Sequence, residues 1–110
     1  MKYMGSKASI AKDIIPIILR DRKENQYFVE PFMGGCNSLD KVNGKRIGND
    51  INTYLVEFWK AVVDGWIPPL DIDKEQYTHI KNNKLQYPEK LVGWVGFGCS
   101  YMSILFFVYI

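Results

Sequence analysis

Two carboxylates and a pair of glycines are the residues of this chain best suited to holding a small polar ligand: Glu30, Gly34, Gly35 and Asp50. Glu30 closes an apolar, aromatic run, Tyr27-Phe28-Val29, and Pro31 follows it. Such side chains fit a pleated, packed surface and a proline cannot donate to a ladder, so the run reads as a buried strand that stops at Pro31. Gly34 and Gly35 then permit a sharp turn. Without a Cβ the backbone tolerates positive φ and can approach a ligand closely. The carboxyl end of a strand, followed by a turn of this kind, is where open α/β sheets receive ligands.

Asp50 stands 16 positions after Gly34, behind a short Lys45-Arg46-Ile47 run that predicts a second, parallel strand. In dinucleotide-binding folds an acid at the end of the second strand, roughly 20 residues beyond the glycine turn, accepts hydrogen bonds from ribose hydroxyls. The pattern therefore points to an adenosine-type ligand. The same residues would equally serve as a plain tight turn followed by a helix-start carboxylate.

The elements that must position these groups follow from periodicity. Ile10, Ile14 and Ile18, with Ile15 and Leu19 alongside, predict a core-facing helix, and Pro16 within it predicts a kink or a break. Residues 21–26 form a charged loop, read as a solvated connection. Asn37 to Val42 can make one or two helical turns before Asn43-Gly44 returns the chain. Together these make a βαβ-like unit. Asn52 can cap a helix carrying Leu55, Phe58, Trp59 and Val62, which Gly65 stops. Pro68-Pro69 marks a linker at 66–70. Asp73 with Gln76 predicts a capped helix bearing Tyr77 and Ile80, with His79, Lys81 and Lys84 on polar positions. Pro88 suits the first position of a further helix, with Leu91, Val92 and Val95 on one side before Gly93, Gly96 and Gly98 loosen the pattern.

Three segments resemble the D12 class of DNA adenine-N6 methyltransferases. An amino-terminal aromatic, small-residue turn and lysine are present as Tyr3, Gly5-Ser6 and Lys7; the Phe-x-Gly-x-Gly pattern as Phe32-Met33-Gly34-Gly35-Cys36; and the strand-end acid as Asp50. The order is that of the family, over most of the first 66 residues, and Cys36 stands where the second glycine is usual. The resemblance implies an α/β chain, the amino-terminal part of a Rossmann-like S-adenosylmethionine-dependent methyltransferase fold, incomplete. It implies S-adenosyl-L-methionine as cofactor, bound by Tyr3, Lys7, Glu30, Phe32, Gly34, Gly35, Asp50 and Ile51, and double-stranded DNA as partner. It divides the chain into a cofactor-binding part at 1–66 and the start of a target-recognition region at 67–110.

Such enzymes position the adenine amine with an Asp-Pro-Pro-Tyr motif, whose acid and proline carbonyl accept from the amine while the aromatic stacks on the extruded base. The only Pro-Pro here is Ile67-Pro68-Pro69-Leu70, with neither acid nor aromatic, so no catalytic residue is assigned. The apolar run 102–110 differs from the polar continuation expected of relatives, and suggests a truncation or frameshift after Tyr101. Two other readings stay open: a non-catalytic remnant acting as a nucleotide- or DNA-binding module, and a nucleotide-binding domain unrelated to methyl transfer.

Composition sets the remaining bounds. Fourteen basic residues against 12 acidic ones give a net charge of +2, too mild to argue for nucleic acid on its own. Cys36, Cys99 and the single His79 cannot supply a four-ligand zinc site, so no metal is expected and the thiols read as reduced. No stretch has the length of a membrane span or the layout of a signal peptide, which predicts a cytoplasmic protein without membrane contact.

Overall fold

The computed structural model describes Lys7 and residues 9–99. Tyr3, Gly5-Ser6 and the run 102–110 lie outside the described residues. The chain is α/β and gathers into two units, one whose described part ends at Ile51 and one that begins at Asn52. The linker expected at 66–70 falls inside the second.

In the first unit, helix α1 spans Ala11–Leu19. It runs uninterrupted through Pro16, so the expected break does not occur. A proline lacks one N–H and costs the helix one bond, while the turns on either side keep theirs. Its buried face is Ala11 and Ile15, with Ile10 and Ile18 about half exposed. The isoleucine stripe at 10, 14 and 18 is thus displaced from the core by one residue. Strand β1, Phe28–Glu30, pairs in parallel with β2, Arg46–Gly48, in the register Phe28 with Arg46, Val29 with Ile47 and Glu30 with Gly48. Between them the short helical stretch is a single 3-10 turn, Leu39–Lys41.

Arg22, expected in a solvated loop, instead ties both strand entrances together. Its guanidinium donates to the carbonyls of Gln26 (3.0 Å), Asn43 (2.8 Å) and Lys45 (2.7 Å). A planar fork of fixed donors can span three carbonyls in this way, and a lysine ammonium cannot.

The second unit holds α2 (Thr53–Val63), α3 (Lys74–Asn82) and α4 (Glu89–Gly93), the last running into a π-helical turn at Trp94–Gly98. The start signals read from the sequence operate as expected. Asn52 Oδ1 accepts from Tyr54 N and Leu55 N, and Asp73 with Gln76 forms a reciprocal capping box. Leu55, Phe58 and Phe97 form one core cluster and Ile80, Val92 and Val95 another. Phe58 stacks on Trp94 with centroids 5.7 Å apart, and Trp94 Nε1 donates to Pro69 O at 2.7 Å.

Gly93 does more than loosen the pattern: a Cβ there would collide with the Tyr54 carbonyl, so its absence lets α4 cross α2 backbone to backbone. Lys84, expected on a polar face, is buried apart from 6% of its surface and donates to Lys81 O at 2.7 Å. Burial first, and then the neighbouring Lys81 charge, pushes its ammonium below the usual lysine range.

Removing the guanidinium leaves three carbonyls to find other partners. Arg22→Ala is expected to lower the unfolding free energy by about 1.5 to 3 kcal/mol, with Arg22→Lys recovering little of it. Urea denaturation followed by far-UV circular dichroism measures both, and wild-type midpoints for the two variants would contradict this assignment.

Candidate functional site

The parallel register places the carboxyl ends of β1 and β2 side by side, and the segments leaving them interlock. Asn49 N donates to Glu30 O and Met33 N to Asn49 O, each at 2.9 Å. The ladder therefore continues one step past each strand and carries residues 31–35 across the mouth of the pair.

Three side chains then hold the turn. Glu30 Oε1 accepts from Phe32 N at 3.1 Å, and Lys7 Nζ donates to Phe32 O at 2.8 Å while standing 3.7 Å from Glu30 Oε1. Asp50 Oδ2 accepts from Gly34 N at 3.1 Å. Each is a charge-assisted bond to backbone, the stronger class. The Lys7–Glu30 ion pair itself is partly exposed and is worth under about 1 kcal/mol, so its geometry matters more than its energy. Met33 is buried, whereas Phe32 is 70% and Ile51 92% exposed. Lys7, Glu30, Phe32, Gly34, Gly35, Asp50 and Ile51 thus lie in one unit, around one turn.

Gly34 has φ +51° and Cys36 φ +62°, both in the left-handed region. A glycine takes this conformation freely, while an L side chain pays about 1 to 2 kcal/mol. Cys36 is the one non-glycine among the described residues with positive φ. Burial, then the carboxylates of Asp40, Asp50 and Glu30, raise its thiol to about 11, with Arg46 pulling the other way. At neutral pH it is a protonated thiol and a poor nucleophile.

Among the described residues, hollows lie within the second unit. One, of about 560 Å³, has Asp71, Asp73, Glu75, His79 and Tyr87 on its walls. Another, of about 730 Å³, is bordered by Lys60, Trp66 and Lys90. Neither contains a residue expected to bind cofactor. His79 is exposed and hydrogen-bonds Tyr87 Oη through Nδ1. Among the described residues no group of three or more His, Cys, Asp or Glu could hold a metal ion, and no helix is long and apolar enough to cross a membrane.

The model of the family described as D12 class N6 adenine-specific DNA methyltransferase matches residues 3–92. The chain belongs to this family. The match takes in Tyr3, Lys7, the glycine turn and Asp50, and continues past residue 66 to Val92, near the end of α4. No curated protein and no solved structure matches the chain significantly. The Phe-x-Gly-x-Gly pattern read from the sequence has a local counterpart here: within the turn, its two glycine positions, 34 and 36, are the ones that take left-handed backbone.

The Arg22 clamp and the depth of the α2–α4 crossing escaped the sequence reading, since backbone carbonyls are their partners and carbonyls leave no mark in a sequence. Cys36 was legible only as a departure from a pattern.

The raised thiol carries a pH dependence. A thiol at about 11 in the fold, against an ordinary 9.0, keeps its proton in the native chain over a range where the unfolded chain has lost it. Its contribution is whole below pH 9 and is lost as pH rises toward 11. Wild type should therefore lose more stability over that range than Cys36→Ser, as read from urea midpoints at pH 7, 9 and 10.5. A gap between the two chains that stays constant with pH would count against it.

Proposed function

We propose that this chain is the S-adenosyl-L-methionine-binding part of an adenine-N6 DNA methyltransferase, built on a Rossmann-like fold, with double-stranded DNA as the substrate of the whole enzyme. The observation that carries the reading is the Asp50–Gly34 hydrogen bond, which joins the strand-end acid to the glycine turn at the carboxyl ends of two parallel strands. In an α/β sheet that is the place for an adenosyl group.

The residues present fit this cofactor. Asp50 is a carboxylate, an acceptor-only group of the kind to which ribose hydroxyls donate. Phe32 and Ile51 offer exposed apolar surface to a flat base. Gly34 and Gly35 allow close backbone approach. Lys7 and Glu30 fix the turn from behind through Phe32 O and Phe32 N, and Tyr3 joins them by family resemblance. S-adenosylmethionine, when bound, supplies a methyl group on a sulfonium sulfur. Residues 67–110 fall in this proposal to the beginning of target recognition.

One sequence observation favours a second reading, a non-catalytic cofactor- or DNA-binding module. No Asp-Pro-Pro-Tyr segment occurs in these 110 residues. The carbonyl of Pro69, in the only Pro-Pro pair, is taken by Trp94 Nε1. Nothing in this chain is thereby assigned to hold the adenine amine in line with the methyl carbon.

Asp50→Ala should weaken S-adenosylmethionine binding about tenfold or more, since hydrogen bonds to a charged group are worth about 1.5 to 3 kcal/mol. Isothermal titration calorimetry of both chains tests this, and equal affinities would sink the site assignment.

Methyl transfer itself is expected to be absent from the isolated chain. Positioning of acceptor against donor supplies about 7 to 11 kcal/mol of a barrier, and binding the donor alone forfeits it. Tritiated S-adenosylmethionine incubated with adenine-rich duplex at low salt should leave the DNA unlabelled. Label persisting after rigorous removal of host methyltransferase would place catalytic groups among residues here assigned to the core.

A further inference from the structure

We draw no further inference here: the strongest candidate, the hollow of about 560 Å³ beside α3 with Asp71, Asp73 and Glu75 on its walls, owes its charge to exposed carboxylates at the amino-terminal end of that helix, and nothing in the structure shows what would occupy it.

Discussion

Glu30 and Asp50 meet at one turn because Phe28 pairs with Arg46 and not with a neighbour of Arg46. In a ladder the side-chain period is two, so a slip of one residue would send every side chain of one strand to the opposite face. The Asn49–Glu30 and Met33–Asn49 bonds would go too, and with them the placement of Gly34 against the Asp50 carboxylate. Two strands of three residues each offer few bonds with which to hold such a register. Arg22 makes up part of the deficit from outside the ladder, by fixing the carbonyls of Gln26 and Lys45, which precede the two strands, to one another.

The mouth of the strand pair is acidic at its base and apolar at its lips. Glu30, Asp40 and Asp50 all bear on the Cys36 thiol, while Phe32 and Ile51 face outward. Fixed donors answer the two carboxylates at the turn itself: Phe32 N for Glu30 and Gly34 N for Asp50. The turn is thus tied by hydrogen bonds from within the chain. A ligand entering such a turn meets groups already in place, which reduces the ordering cost of binding.

Much of this was legible in the sequence. The strands were delimited by Pro31 and by Asn43-Gly44, the caps by Asn52 and Asp73, and the turn between the strand ends by Gly34-Gly35, with Asp50 after the second strand. Each of these signals is local, a residue type whose own backbone preference or side-chain reach dictates the structure around it. The failures share a cause as well. For α1 the sequence offers two adjacent apolar stripes, and nothing within the helix says which one faces the core; Ala11 and Ile15 proved to be the buried pair, beside the longer isoleucine row. Arg22 and Gly93 act on backbone carbonyls brought near by tertiary packing, and Lys84 buries its stem against a turn whose path is not written in its neighbours. Cys36 sits between these cases, since its departure from the family pattern was visible, but the reason for the pattern, a left-handed φ, was not.

The aromatic packing of the second unit has a spectroscopic consequence. All three tryptophans of the chain, Trp59, Trp66 and Trp94, lie beyond Asn52, and each packs with Phe58 in a cluster. The unit that carries Glu30, the glycine turn and Asp50 has none. Emission excited at the indole band thus watches one half of the molecule while the half with the candidate site stays dark. A chain with phenylalanine at 59, 66 and 94 and one tryptophan introduced on the exposed face of α1 would instead watch the silent half alone, and its melting could be timed against that of the native chain.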